Sequence, residues 1–382
     1  MFLNLLSAAS VFKTIGSVLV ALLILLVMIT VHEFGHYIAG KIFKFKINEF
    51  AIGFGPALFK HTKKNGEKFS IRALPLGGFC AFEGEENDSE NPNAFNNKKP
   101  WQRIIVLISG ALMNYLLSVI VIIISFFACG QLLIMTYQVD ANPYTQNGQY
   151  IESEYLFHDK DVIISCEGKN IYLTSDLMSV LKGKKEGELV DFKLLRINGE
   201  EREMVSVEIM LRADANFSNM NDTSSVWDCL GVAKEYSENG ESYSYMVAST
   251  AVKGFGFFQT VGRAFAYSIH IAGTIFKVLG ELFTGALGLS SFGGPITTIK
   301  MTSQIATMGW VQFFEITSLI GVNLAVFNLL PIPALDGSKV IFTIIEWIRK
   351  KPLNRKVEAI IHAAGFVFLI VFAILVDILQ FI

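Results

Sequence analysis

Two histidines and a glutamate end the first apolar run of the chain, in the segment His32-Glu33-Phe34-Gly35-His36. Residues four apart lie on one face of an α-helix, so His32 and His36 can direct their imidazoles at one cation. Glu33 is then placed to contact a water on that metal. The alternative is a pair of histidines hydrogen-bonded to backbone. Because two imidazoles and a carboxylate are costly in hydrocarbon, the pattern favours a hydrolytic zinc site.

Catalytic zinc usually takes three protein ligands and keeps a fourth position for water, so a third ligand must come from another segment. The candidates in or near later apolar segments are Glu315, Asp336, Glu346, His362 and Asp377. Asp336 is favoured because Pro331 and Pro333 each remove a helical donor shortly before it. Irregular backbone at membrane depth is tolerated where it is buried or lines a wet cavity.

Each candidate also has a structural interpretation. Asp336 could cap the helix that follows it, and Asp377 could be satisfied by helix packing. Glu315 and Glu346 lie near the ends of an apolar segment, which is typical of interfacial carboxylates. His362 lies close to the start of the last apolar segment. We therefore expect Asp336 to be the third ligand.

The composition indicates a membrane protein. The 382 residues are 52% hydrophobic and only 17% charged, with a mean hydropathy of +0.46, whereas soluble domains carry about 25% charged residues. The formal net charge of −2 argues against nucleic-acid binding. The four cysteines show no C-x-x-C spacing; Cys166 and Cys229 could pair if their domain faces an oxidising space.

Four stretches are long and apolar enough to cross a bilayer, at about 14–40, 104–135, 311–348 and 360–382. We expect the first to be a retained span and not a cleaved signal peptide, because no cleavage site precedes the histidines. Lys and Arg concentrate in the loops 41–103 and 349–356, which should therefore be cytoplasmic. Both termini and the long segment after the second span then lie outside.

The cytoplasmic loop 41–103 predicts a β-hairpin. Apolar-rich runs at 47–58 and 68–82 flank a turn that contains Asn65-Gly66. The hairpin should dip toward the membrane near the metal, where an exposed strand edge could pair with an extended peptide. The alternative is a hairpin that only covers the catalytic helix.

The external segment predicts one compact domain with strands at 161–166, 189–196 and 203–211 and a helix at 175–182. Its size suits a small peptide-binding module. The region 251–300 is apolar but carries recurrent charges, which indicates an amphipathic helix on the membrane surface followed by a Gly-rich loop.

The chain resembles the site-2 proteases, a family of intramembrane zinc metalloproteases. The segment 32–36 matches the first motif of that family, and Asn328–Gly337, N-L-L-P-I-P-A-L-D-G, matches its N-x-x-P-x-P-x-L-D-G motif in full. Secondary matches are S-G-A-L-M-N at 109–114 and G-G-P-I at 293–296. Ala111 departs from the pattern, because the family often has proline there.

The resemblance implies a polytopic α-helical membrane protein with four transmembrane helices, a membrane-associated β-hairpin and an external PDZ-like α+β domain, in a cell membrane. The expected segments are the first span with H-E-x-x-H (1–40), the loop with the reentrant hairpin (41–103), the second span (104–137), the PDZ-like domain (138–211), a linker with the surface helix (212–310), the third span (311–348), and a basic loop with the fourth span (349–382).

The resemblance also implies zinc-dependent cleavage, within the membrane, of single-span proteins already trimmed by another protease, such as anti-sigma factors or signal-peptide remnants. His32, His36 and Asp336 would hold Zn²⁺, and Glu33 would act as general base. Asn328 would bind substrate backbone or the developing oxyanion. The PDZ-like domain and the surface helix would exclude bulky substrates. The expected substrate-binding residues are Gly53, Phe54, Asn328, Pro331 and Pro333.

An inactive membrane scaffold or a metal transporter is the alternative. A scaffold would usually have lost Glu33 or a ligand, and all of these residues are present. A transporter needs a polar path through several spans. The second span offers only Ser109, Asn114, Ser118 and Ser125. A protease is therefore the favoured function.

Overall fold

The structure is a computed structural model that describes residues 8–85, 89–137, 145–146, 149–150, 157–199, 201–217, 224–232, 234–236, 243–285, 288–289 and 293–380. The chain divides into two compact units. One unit comprises residues 1–127 and 256–382, and the other comprises residues 128–255.

In chain order the helices of the described residues are α1 (Ala8–Ile42), α2 (Pro100–Ala128), α3 (Thr174–Leu181), α4 (Ser224–Cys229), α5 (Phe257–Phe283), α6 (Pro295–Ile305), α7 (Trp310–Asn328), α8 (Asp336–Arg349) and α9 (Arg355–Leu379). Helices α3 and α4 belong to the second unit, and the others make up most of the first. Within the part of the chain that the structure describes, four helical segments are long and apolar enough to cross a membrane: Phe12–Ile42, Pro100–Ala128, Trp310–Asn328 and Arg355–Leu379.

The region 311–348, expected as a third span, contains two helices. α7 ends at Asn328, and α8 begins at Asp336 after an irregular link. The prolines in the link had indicated this break, because each removes a helical hydrogen-bond donor. Only α7 meets the length and composition of a span among the described residues of this region.

The second span was expected to reach residue 137, and this boundary is wrong. α2 ends at Ala128, and Gln131–Thr136 forms strand β3. Gly130 has φ +100°, a conformation that ends the helix and that favours glycine. The following apolar residues pair with Val247–Val252, so they belong to a sheet although their hydropathy suits a span.

The loop after α1 forms the expected hairpin, β1 (Ile47–Thr62) and β2 (Lys68–Phe82). Its register shows that both strands fold back. Residues 47–52 pair with 78–82 on one side and with 68–71 on the other, and residues 57–62 pair with 68–72. The order across this sheet is therefore 78–82, 47–52, 68–71, 57–62. The two edges are residues 78–82, here called the inner edge, and residues 57–62, here called the outer edge.

A buried carboxylate fastens the hairpin to α1. Glu67 accepts hydrogen bonds from Lys63 Nζ at 2.8 Å and from Tyr37 Oη at 2.9 Å, and Lys41 at the end of α1 also bonds to it. Burial alone would raise the pKa of Glu67. The hydrogen bonds from Lys41, Lys63, Tyr37 and Asn65 outweigh burial and lower the pKa to about 2. Glu67 is therefore charged at neutral pH.

The second unit is a separate α+β body. Its largest sheet has the strand order β12 (Val247–Val252), β3, β6 (Asp161–Cys166), β8 (Leu189–Asn198) and β9 (Glu201–Met210). The remaining strands are β4 (Thr145–Gln146), β5 (Gln149–Tyr150), β7 (Lys169–Asn170), β10 (Lys234–Tyr236) and β11 (Tyr243–Tyr245). A core that includes Leu177, Phe192 and Trp227 packs α3 and α4 with this sheet. The PDZ-like character of this unit stays a prediction.

The second unit bears on two expectations from the sequence, the bounds of its elements and a possible disulfide. β6 has the expected bounds, and β8, β9 and α3 differ from the expected bounds by one or two residues at their ends. Cys166 and Cys229 are both buried free thiols, so the disulfide left open by the sequence is not formed in this structure.

α5 covers part of the region expected as a membrane-surface helix. Its Ala264 and Ile271 pack with Ile122 of α2 and Val322 of α7. The opposite face leaves large apolar side chains exposed, among them Phe258, Phe265, Ile269 and Phe276. α5 therefore carries apolar side chains both where it packs on α2 and α7 and where it is exposed, and its place on a membrane surface stays a prediction.

Candidate metal centre

The site begins with a close crossing of α1 and α2. A Cβ added at Gly35 of α1 would lie 2.8 Å from Met113 Cγ and would overlap the carbonyl oxygen of Ser109. A Cβ added at Gly110 of α2 would lie 2.7 Å from His36 Cε1 and 2.8 Å from His32 Cε1. Both distances are shorter than side chains tolerate. The two glycines therefore let α2 pack directly on the histidines.

Three ligand atoms converge beside this crossing. His32 Nε2 lies 2.9 Å from Asp336 Oδ2 and 3.1 Å from His36 Nε2. His36 Nε2 lies 3.3 Å from the same carboxylate oxygen. Both histidines are 7% exposed. Residues 304 positions apart in the chain thus form the one cluster of His, Cys, Asp or Glu suited to a metal among the residues that the structure describes.

The cluster fits a zinc ion. Zinc bonds of about 2.0–2.1 Å at tetrahedral angles place neighbouring ligand atoms about 3.3 Å apart, close to the separations observed. Two imidazoles and one carboxylate match the ligand types of catalytic zinc sites, which leave a position open for water. The three atoms, Nε2 of His32, Nε2 of His36 and Oδ2 of Asp336, could hold such an ion together.

The orientation of His36 is fixed by α2. Its Nδ1 lies 2.8 Å from the carbonyl oxygen of Val106. A carbonyl oxygen only accepts, so Nδ1 carries the hydrogen and Nε2 is left with a lone pair directed at the cluster. Histidine ligands of metals almost always donate their second N–H in this way.

The link between α7 and α8 positions Asp336. Gly337 lies so close to the carbonyl oxygens of Leu329 and Leu330 that a Cβ would overlap them. Ala334 has φ +82°, a conformation that costs a non-glycine residue roughly 1–3 kcal/mol. Its N–H donates to His362 Nδ1 of α9 at 3.1 Å. The packing of the link against α7 and α9 therefore holds Asp336 at the histidines.

The inner edge of the hairpin borders the site. A cavity of about 840 Å³ is lined by Glu33, His36 and Asp336 together with Phe79–Phe82 of the inner edge. The Glu33 carboxylate lies close to the backbone N–H of Cys80. The cavity therefore places the Glu33 carboxylate, the candidate ligand cluster and a strand edge side by side.

Lys339 adds a cation to this cavity. It lies one helical turn after Asp336 on α8, and its Nζ contacts Glu85 Oε1 at 2.6 Å. The ion pair ties α8 to the segment that follows the inner edge. Lys339 was not among the residues singled out from the sequence, because its partner is remote in the chain.

The other four candidate ligands lie apart from the cluster and have different partners. Glu346 forms a buried ion pair with Arg103 at 2.6 Å. Asp377 accepts the N–H groups of Ile296 and Thr297 at the start of α6. His362 binds Ala334, as described above. Glu315, on α7, is absent from the cluster formed by the described residues.

The expected substrate-binding residues are dispersed. Phe54 lines the cavity, whereas Gly53 packs against the carbonyl oxygen of Leu74 inside the sheet. Asn328 is the last residue of α7. Pro333 packs on Gly365 of α9, and Pro331 lies in the link. Their roles stay predictions.

A family model described as "Peptidase family M50" matches residues 20–372. Three bacterial proteins that carry the name "Putative zinc metalloprotease" are similar along their length. The one from Fusobacterium nucleatum is 28% identical over 94% of this chain and 97% of its own. The one from Clostridium perfringens is 31% identical, with the same coverage. The one from Clostridium acetobutylicum is 25% identical over 95% of this chain and 96% of its own.

The contact of Gly110 with the histidines predicts the effect of one added methyl group. Gly110→Ala should displace both imidazoles, at an overpacking cost of roughly 1–3 kcal/mol, and weaken zinc binding by about tenfold or more. Zinc affinity of the purified protein, measured by competition with a chelator, checks this. Gly273→Ala in α5 is the matched control, because a Cβ there meets nothing within 4 Å. Equal zinc affinity in Gly110→Ala and the natural protein would contradict the geometry.

Proposed function

The chain belongs to peptidase family M50, the zinc metallopeptidases of site-2 protease type, and we propose that it cleaves the transmembrane segments of single-span membrane proteins. The observation that carries this proposal is the position of the ligand cluster. Two of its residues lie in a helix apolar enough to cross a membrane, and the third follows another such helix after the link 329–335. Ionisable groups at such depth favour a functional site.

The three candidate ligands and Glu33 then each have a chemical role. His32, His36 and Asp336 would hold zinc, which lowers the pKa of water to about 7 and polarises a carbonyl group. Glu33 would take the proton of the attacking water at a carboxylate oxygen and pass it to the nitrogen of the leaving amine. The N–H of Cys80 supports this role, because it helps to fix the carboxylate beside the cluster.

The proposed role of Asn328 is supported by its position along α7, close to the level of the ligand cluster on α1. Gly321 of α7 lies against Met28 and Ser118, whereas Asp336 lies at His32 and His36. α7 therefore runs toward the cluster, and Asn328 lies about 10 Å beyond Gly321 along the helix axis. Along α1, His36 lies about 12 Å beyond Met28. The amide of Asn328 is thus near the depth at which substrate backbone or a developing oxyanion would need a donor.

We propose that the inner edge holds the substrate extended. A helical substrate hides its amides in i→i−4 hydrogen bonds, so it must unwind before hydrolysis. An unpaired strand edge can supply replacement backbone hydrogen bonds. The edge 78–82 borders the cavity at Glu33, whereas the edge 57–62 is the far side of the sheet. Pairing with the inner edge would deliver an extended peptide to the acid–base group.

We propose four membrane crossings with both termini and the second unit outside. The basic loops 41–103 and 349–356 support this orientation. The second unit, with PDZ-like function, would exclude substrates with large external domains, so that another protease acts first. The chain enters and leaves this unit through β3 and β12, which are neighbours in one sheet. Such a unit can be inserted or removed without separating the helices that it joins.

The proposed proton transfer predicts the effect of Glu33→Gln. Cleavage of a single-span reporter by purified protein should fall by about 10²–10⁴-fold, because the amide cannot take the proton. Bound zinc should be unchanged, since Glu33 is not among the three ligand atoms. Glu315→Gln is the control, and it should cleave normally. Equal cleavage by Glu33→Gln and the natural protein would rule out the proposed acid–base role.

The inner edge predicts a crosslinking pattern. We would place one cysteine at Ala81 in a protein lacking the native cysteines and carrying Glu33→Gln, and scan cysteines along the substrate. A substrate paired as a strand should form disulfides at alternate positions, because successive side chains of a strand point to opposite faces. A repeat of three to four residues would show a helical substrate and contradict the proposal. A cysteine at Thr62, on the outer edge, is the control and should give no ladder.

The second unit predicts a change in selectivity when it is removed. Thr136 and Val247 are direct partners in the β3–β12 ladder, so an Asn-Gly turn can replace residues 137–246. The shortened protein should cut reporters that keep a bulky external domain, which the full chain should reject. Both forms should cut a trimmed reporter. Unchanged selectivity would count against a size filter.

A further inference from the structure

Two buried polar groups near the ligand cluster lack hydrogen-bond partners among the residues that the structure describes. They are Nδ1 of His32 and the side-chain amide of Asn114, of which both Oδ1 and Nδ2 are unpaired. His32 is 7% exposed and Asn114 is 0% exposed. A buried polar group without a partner costs about 1–3 kcal/mol, so each group calls for one. His36 differs, because its Nδ1 binds Val106.

The contacts of α1 and α2 place these two groups at one level. Gly110 lies against His32 and His36, and Ser118 and Met28 both lie against Gly321. Asn114 is one helical turn from Gly110 and one turn from Ser118, on the same face of α2. On α1, His32 is one turn from Met28 and one turn from His36. Asn114 therefore faces the part of α1 that carries His32.

We propose that Oδ1 of Asn114 is joined to the Nδ1–H of His32 through one ordered water, since the two groups do not bond directly in this structure. This bridge would fix the imidazole with its Nε2 lone pair toward Asp336 and the metal, as Val106 does for His36. Asn114 is a positioning residue, since it acts on the reaction only through His32. The inference rests on the proposed function, because it takes His32 to be a zinc ligand.

No group among the described residues donates a hydrogen bond to Oδ1 of Asn114. Ser118 Oγ, one turn along, already donates to the backbone carbonyl of Asn114 at 2.8 Å. α2 thus offers a different kind of acceptor to each of the two histidines of α1. α2 offers a backbone carbonyl to His36, at Val106, and a side-chain carbonyl to His32, at Asn114.

The test compares zinc affinity of the full-length protein and three variants in detergent, by competition with a chelator. Asn114→Leu keeps the size and removes the acceptor, and it should weaken zinc binding by about 10- to 100-fold. Asn114→Asp keeps an acceptor oxygen and should bind zinc at least as tightly as the natural protein. Ser118→Ala is the matched control on the same face and should be unchanged. Cobalt substituted for zinc should show an altered visible spectrum in Asn114→Leu alone.

The outcomes separate this inference from the proposed site. If Asn114→Leu binds zinc as tightly as the natural protein, the inference is overturned. If Asn114→Asp weakens binding as much as Asn114→Leu, the acceptor is not what matters, and the inference is again overturned. His32→Ala tests the site itself: retained zinc there would overturn the proposed ligand set. Thermal unfolding of the zinc-free variants distinguishes a lost fold from a lost hydrogen bond.

Discussion

The structure depends on bringing three lone pairs to one point inside an apolar environment. His32 and His36 are a turn apart on α1, and Asp336 reaches them from the start of α8 with all pairwise distances at or below 3.3 Å. Three such groups would be costly to bury without a cation to share. The close crossing at Gly35 and Gly110 makes this arrangement possible, because α2 then covers the histidines and excludes other contacts.

Irregular backbone near the site follows from the same constraint. A continuous helix from Trp310 to Arg349 would hold its polar groups in i→i−4 bonds and would carry Asp336 past the histidines. The link after Asn328 breaks the helix, and its freed groups find partners such as His362. The folded-back hairpin meets the same need for backbone hydrogen-bond partners. Its strand segments pair with one another and leave only the inner and outer edges unpaired within the sheet.

The second unit is stabilised in a different way from the first. Its sheet and helices enclose an apolar core of the soluble type, and Arg196 pairs with the buried Asp161 at 2.9 Å. The chain reaches this unit only through neighbouring strands β3 and β12. Such a connection lets the second unit vary in sequence without altering the helices that carry the candidate ligand cluster.

The sequence by itself determined the elements whose causes are local. The His32–His36 spacing, the break after Asn328, the hairpin turn and β6 all follow from neighbouring residues, because helix periodicity, proline and Asn-Gly act within a few positions. The tertiary structure alone decided the rest. The distances that join Asp336 to both histidines, the pairing of Lys339 with Glu85 and the inclusion of residues 131–136 in a sheet all depend on partners far along the chain. Hydropathy measures how strongly a segment prefers an apolar environment to water. It does not identify the surface against which the segment packs.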